Sequence, residues 1–204
     1  TFTRIRTGRG NDVVTVDLDE PDMPSVGLPW VEVDTGRGDD VFNASTSTLG
    51  LQLVGGYGTD LLIGGAGADL VFGDFGSLDF LVVDRVPVFQ PVVETLSAEE
   101  GGSDVIEGRG GTDRLFGGAG NDTVHGEEGE DILFGDYGRI SQLPAGVAQI
   151  ETTEFFLGGL DLVVGGGGND VIFGGAGGDA LGGRFGEDVI IGEYARLTTV
   201  NGVA

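Results

Sequence analysis

Residues 117–134 run GGAGNDTVHGEEGEDILF, two nine-residue units in one frame. In each unit position 6 is an aspartate (Asp122, Asp131) and position 8 is apolar (Val124, Leu133). The same step extends in both directions. Aspartates fall at Asp104, Asp113, Asp122 and Asp131, then at Asp161, Asp170, Asp179 and Asp188, and Asp60 and Asp69 are also nine apart. Position 8 is held by Leu62, Val71, Ile106, Leu115, Val163, Ile172, Leu181 and Ile190 in the other units. Two isolated copies, TGRGNDVVT (7–15) and TGRGDDVFN (35–43), add Asp12 with Val14 and Asp40 with Phe42. Self-similarity at a fixed short period is the mark of stacked repeats.

Nine residues suffice for a short strand and a tight turn. Positions 7–9 (Val-Ile-Phe, Ile-Leu-Phe, Leu-Val-Phe) are β-branched, branched or aromatic and suit a strand. Positions 1–6 are glycine-rich, which permits positive φ and close backbone approach. Two units then make one coil of 18 residues, and the coils stack into two parallel sheets around a thin core of position-8 side chains. Units n and n+2 are expected to superpose about 4.8 Å apart. Asp104 would stand over Asp122, Asp113 over Asp131, Asp161 over Asp179 and Asp170 over Asp188. Asp40 and Asp60, 20 residues apart, would pair across the degenerate stretch 44–54. A lone aspartate here is an ordinary turn former. Stacked carboxylates are another matter, because like charges that close require a proton or a cation. Calcium, a hard ion taking six to eight oxygens in flexible geometry, suits such turns better than magnesium. Zinc and copper lack ligands, since the chain has no cysteine and one histidine.

The frame resembles the RTX, or haemolysin-type calcium-binding, nonapeptide repeat G-G-x-G-x-D-x-U-x. The resemblance covers residues 7–15, 35–43, 55–72, 99–134 and 156–191. It implies an all-β fold, a parallel β-roll or β-helix solenoid with calcium in the turns, interrupted by non-repeat insertions. It further implies that the twelve aspartates named above take Ca2+ together with turn carbonyls such as those of Gly117, Gly120, Gly165, Gly168, Gly174 and Gly177. Departures occur at Glu99 and Glu100, which replace the first glycines of one unit, and at Glu127 and Arg184, which occupy glycine positions.

A longer period lies over the short one. Blocks end in GDFGSL (73–78), GDYGRI (135–140) and GEYARL (192–197), about 60 residues apart. The expected organisation is a degenerate solenoid start at 1–54, repeat blocks at 55–80, 99–138 and 156–194, insertions at 81–98 and 139–155, and a further insertion beginning at 195–204. The third signature so close to the end leads us to expect a longer repetitive parent protein. Eleven coils at about 4.8 Å would give a rod on the order of 50 Å. Position 9 is Phe72, Phe116, Phe134, Phe173 and Ile191 on alternate units, so one sheet would present an apolar stripe that needs a cover. Either the insertions supply that cover, or the stripe mediates self-association into a filament or sheet. Trp30, Phe89, Phe155 and Phe156 are expected to pack as core or staple residues under the loops, a binding patch being the other reading.

Composition narrows the function. The chain carries 34 acidic residues against ten basic ones, all arginine, for a formal charge of −24. Such a surface repels nucleic acid, and no apolar run is long enough to span a membrane as a helix. Yet 39% of residues are hydrophobic, so the chain can fold once its charge is neutralised. No enzyme is expected: His125 sits alone at a strand position, without a Ser-His-Asp set. Strings such as GGAGAD (64–69) leave no room for the helix a dinucleotide site requires. The expected function is a calcium-binding, calcium-stabilised structural segment of a large extracellular protein (surface protein, adhesin or filament subunit). The alternative is the export-and-folding module of a type I-secreted toxin or exoenzyme.

Overall fold

A computed structural model describes residues 3–18, 31–83, 86–96, 101–143 and 147–200. Their regular structure is all β-strand, in three sheets. The central sheet is parallel and has eight strands in the order β1 (Thr3–Arg9), β3 (Val31–Arg37), β5 (Leu51–Tyr57), β7 (Leu70–Phe72), β11 (Arg114–Phe116), β13 (Ile132–Phe134), β17 (Val171–Phe173) and β19 (Val189–Ile191). The outer sheet is parallel with seven: β2 (Val13–Thr15), β4 (Val41–Asn43), β6 (Leu61–Ile63), β10 (Val105–Gly110), β12 (Thr123–Glu128), β16 (Leu162–Gly167) and β18 (Ala180–Phe185). The chain alternates between these two sheets, one nonapeptide to each. Register follows the 18-residue coil, with Leu115 beside Leu133 in the central sheet and Ile106 beside Val124 in the outer one. This is the parallel β-roll that the nonapeptide frame predicts.

Position 8 forms the first core. Phe42, Leu62, Ile106, Val124 and Val163 from the outer sheet meet Leu53, Val71, Leu115, Leu133 and Ile172 from the central sheet, all fully buried. Val14 and Leu181, at the two ends of the outer sheet, are only partly buried.

The third sheet is antiparallel, in the order β8 (Gly76–Val83), β9 (Val86–Thr95), β14 (Gly138–Leu143), β15 (Val147–Thr152) and β20 (Arg196–Val200). It is made by the two insertions and the segment after the third block, and it lies over the central sheet. A second core fills the gap: Phe72, Phe116, Phe134 and Phe173 with Val93, Ile140 and Ile150, flanked by Ile191, Ala195 and Leu197. The phenyl rings stack in a column, with centroids 5.1, 4.8 and 4.9 Å apart. From β7 to β17 the central sheet is therefore buried on both faces, which suits apolar triplets such as Leu70–Phe72 and Val171–Phe173. In contrast, β1 and β3 carry the ion pairs Arg4–Glu32 and Arg6–Asp34. The other face of the third sheet carries ion pairs, Arg139 with Glu94 and Arg196 with Glu151.

Two expectations are corrected here. The stripe of Phe72, Phe116, Phe134, Phe173 and Ile191 is not a face for self-association, because the four phenylalanines are at most 1% exposed beneath the chain's own insertions. The solenoid is also shorter than eleven coils. The insertions leave the stack instead of adding rungs, so the eight-strand sheet spans about 34 Å at ~4.8 Å per step.

The cover fits tightly. At Gly76 an added Cβ would fall 2.0 Å from the Phe72 ring, and at Gly138 it would fall 2.3 Å from the Phe134 ring. The third block has Ala195 at the equivalent place, and four residues earlier it has Ile191 in place of phenylalanine. The smaller side chain leaves room for the extra methyl.

Phe155 and Phe156 do not pack as core residues. They are 53% and 96% exposed, Phe155 meeting Tyr194 edge-on with ring centroids 4.9 Å apart. Trp30, Glu99 and Glu100 lie outside the described residues. His125 is partly exposed on the outer sheet, beside Glu107 and Val164.

Candidate metal centre

The turn aspartates form two ladders. In the first, each main-chain amide donates to Oδ1 of the aspartate one coil on: Asp12 to Asp40 at 2.7 Å, Asp40 to Asp60, Asp60 to Asp104, Asp104 to Asp122 and Asp122 to Asp161 at 2.8 Å, and Asp161 to Asp179 at 3.1 Å. In the second, Leu51 donates to Asp69, Asp69 to Asp113, Asp113 to Asp131, Asp131 to Asp170 and Asp170 to Asp188, at 2.8–3.1 Å. The four vertical pairs expected from the period are all present, as is Asp40 with Asp60. Asp12 joins the same ladder.

The second oxygen of each carboxylate decides the chemistry. Oδ2 of Asp12, Asp40, Asp60, Asp104, Asp113, Asp122, Asp131, Asp161, Asp170 and Asp179 is buried and has no hydrogen-bond partner. Native structures rarely leave a buried polar atom unpaired, and a charged one is costlier still. Asp69 differs, since its Oδ2 accepts the Gly65 amide at 2.8 Å. Asp188, at the end of its ladder, is partly exposed.

Burial pushes the Asp122 carboxyl up to about 9, reinforced by Asp104 and Asp161, although the Asp104 amide opposes the shift. Asp104 and Asp113 rise to about 8 and Asp60 to about 7 for the same first reason. Asp69, Asp131 and Asp161 rise to about 6. Burial also raises Asp170. Charged carboxylates in these places await a counter-charge.

The turn backbone brings the carbonyls of Gly117, Gly165 and Gly174 beside Oδ2 of Asp104, Asp131 and Asp161, and those of Gly120 and Gly168 beside the Asn121 and Asn169 side chains. At Gly73, Gly159, Gly126, Gly186 and Gly135 an added Cβ would lie 2.4, 1.5, 2.7, 1.6 and 2.6 Å from the carbonyl oxygens of Gly117, Gly120, Gly165, Gly168 and Gly174. Gly177 instead presents its α-carbon to a carbonyl, that of Gly159. Gly120, at φ +117°, adopts a backbone shape that only glycine takes without strain. The residues present fit calcium: unpartnered buried carboxylate oxygens, a carbonyl-rich turn and no competing soft ligand. Among the described residues no three acidic or histidine side chains converge tightly enough to hold an ion unaided. The remaining oxygens would have to come from the backbone.

Several participants escape a motif-based reading. Side chains at position 5 make an outer ladder: Thr59 N–H donates to Asp39, Asn121 N–H to Ser103, Leu160 N–H to Asn121 and Glu187 N–H to Asn169. The signal was the recurring Asn, Asp, Ser and Thr just before the key aspartate. Asp74 and Asp136 are each 2% exposed and accept two amides: Gly102 and Ala119 on Asp74, Gly159 and Ala176 on Asp136. Glu127 and Arg184 keep the turn at their glycine positions by adopting φ +73° and +79°.

The family model that matches is the RTX calcium-binding nonapeptide repeat (4 copies), over residues 52–77, 100–133 and 157–190. No curated protein and no solved structure matches the chain.

Proposed function

Because the chain carries RTX calcium-binding nonapeptide repeats on a parallel β-roll, we propose that it is a calcium-stiffened structural segment of a large, repetitive extracellular protein, such as a surface protein, adhesin or filament subunit. The observation carrying this reading is the series of ten buried aspartate Oδ2 atoms without partners. Bound calcium supplies the positive charge that the stacked carboxylates lack. Asp104, Asp122 and Asp161 of one ladder, and Asp113, Asp131 and Asp170 of the other, would hold it with the turn carbonyls.

The folding logic follows from charge. At −24 the chain repels itself and stays expanded where calcium is scarce. Outside the cell, at calcium levels near the dissociation constants of extracellular modules, the coils close and stack. Binding restricted to the folded state stabilises it by mass action. RTX repeats are typical of secreted proteins, and no described helix is long and apolar enough to cross a membrane. A bacterial type I-like export route belongs to this proposal, as does the absence of catalysis.

The test is far-UV circular dichroism with sedimentation velocity, in chelator and then in millimolar calcium, with magnesium as control. A calcium-specific gain of β signal in a compact species is expected. An unchanged spectrum would sink the proposal.

A further inference from the structure

Each insertion enters through a nonapeptide that has been cut in two. Gly73 and Asp74 supply positions 1 and 2 of a turn, the chain leaves to make β8 and β9, and Gly101 to Asp104 supply positions 3 to 6. Gly135 and Asp136 are completed in the same way by Gly158 to Asp161, after β14 and β15. The halves close as an unbroken turn does. Oδ2 of Asp104 lies 2.4 Å from an added Cβ on Gly73, and Oδ2 of Asp161 lies 2.4 Å from one on Gly135. The corresponding distance for Asp122 and Gly117, within a continuous unit, is 2.5 Å.

Position 2 is where the split turns depart from their neighbours. The adjoining continuous units have Gly118 and Gly175 there, and the split ones have Asp74 and Asp136. A split turn thus buries two carboxylates where a continuous one buries a single carboxylate. Asp74 is the leading charged neighbour of Asp104 and also acts on Asp122. Asp161 is likewise the leading charged neighbour of Asp136. Asp74, Asp104, Asp136 and Asp161 are all at most 3% exposed. Oδ2 of Asp104 and of Asp161 has no partner. The amides on Asp74 and Asp136 leave further lone pairs on those carboxylates free, because an ionised carboxylate has about four acceptor sites.

We propose that each split turn holds a calcium ion of its own, bridged by Asp74 and Asp104 at the first junction and by Asp136 and Asp161 at the second. This rests on the calcium reading above and adds to it two ions that the repeat aspartates alone do not account for. They fasten the points where the chain leaves and re-enters the solenoid.

Calcium-loaded crystals of the full 204-residue chain provide the test without any substitution. Anomalous difference peaks are expected between Asp74 and Asp104 and between Asp136 and Asp161. Peaks at the continuous rungs with none at the junctions would overturn the proposal and leave Asp74 and Asp136 as hydrogen-bonding clamps. No calcium peak anywhere would instead defeat the underlying calcium reading. Equilibrium dialysis against calcium chloride gives a second measure: Asp74→Asn and Asp136→Asn should each lower the wild-type count by one ion. Folded variants that keep the full count would refute the assignment.

Discussion

The amide of Asp122 donates to Oδ1 of Asp161 at 2.8 Å, across 39 residues and a complete hairpin. The bond from Asp104 to Asp122 has the same length across only 18. An insertion therefore does not disturb the rung on which it is mounted. Asp122 is central to this ladder, and its unpartnered oxygen gives it opposite effects in two media.

Asp122→Asn removes a buried charge while keeping an acceptor for the Asp104 amide. In saturating calcium the substitution should destabilise the fold by about 1–3 kcal/mol, the usual scale for a disrupted buried charged contact. In chelator it should stabilise, because repulsion from Asp104 and Asp161 is relieved. Thermal melts in both media check the reversal of sign, and destabilisation in chelator as well would contradict it.

Acid should substitute in part for calcium. The folded-state values of about 6 to 9 for Asp60, Asp69, Asp104, Asp113, Asp122 and Asp131 stand above their unfolded value of 3.8. A raised carboxyl binds more protons in the native state. Its contribution is full below about pH 4 and disappears as pH rises through 6 to 9. In chelator, far-UV circular dichroism should therefore show β signal growing as pH falls from 9 towards 5. Apparent calcium affinity should weaken over the same fall, because protons compete for the same oxygens.

Gly138→Ala should fail for a definable reason. Its methyl would meet the Phe134 ring at 2.3 Å, and that ring is held in a stack between Phe116 and Phe173. Overpacking of this kind costs about 1–3 kcal/mol. Adding Phe134→Ile copies the Ile191–Ala195 combination of the third block and should recover part of the loss. A double-mutant cycle in calcium measures the coupling, and strict additivity of the two changes would count against the explanation.

Glu127→Gly should stabilise. Glu127 holds φ +73° at a position where Gly166, its register partner in β16, holds +122°. Relief of a left-handed conformation outweighs the entropy lost to glycine, for a net gain of about 1 kcal/mol. For a chain of this size that corresponds to about 2–4 °C in Tm. A lowered Tm in saturating calcium would show that the Glu127 side chain contributes more than its backbone costs.

The solenoid was legible because its signal is local and repeated. Asp104, Asp113, Asp122 and Asp131 announce both the coil length and the vertical pairs, and Val124 and Leu133 announce the core. The third sheet was not. Its strand β9 carries Pro87 and Pro91, residues that speak against a strand, and its partners are fixed by long-range pairings such as Ile140 with Val93. Asp74 and Asp136 were visible only as parts of a recurring signature. Their turns are completed by residues 27 and 22 positions later, beginning at Gly101 and Gly158, so no nine-residue window contains them whole.

The two hairpins differ in length, twenty residues from Gly76 to Thr95 and fifteen from Gly138 to Thr152, yet both return the chain to an undisturbed rung. Growth of the rod and growth of its covering are thus independent variables. An ancestral chain could lengthen, shorten or exchange a hairpin cassette without re-registering the coils around it. A protein engineer has the same freedom to exchange one hairpin while keeping the rungs on which it is mounted.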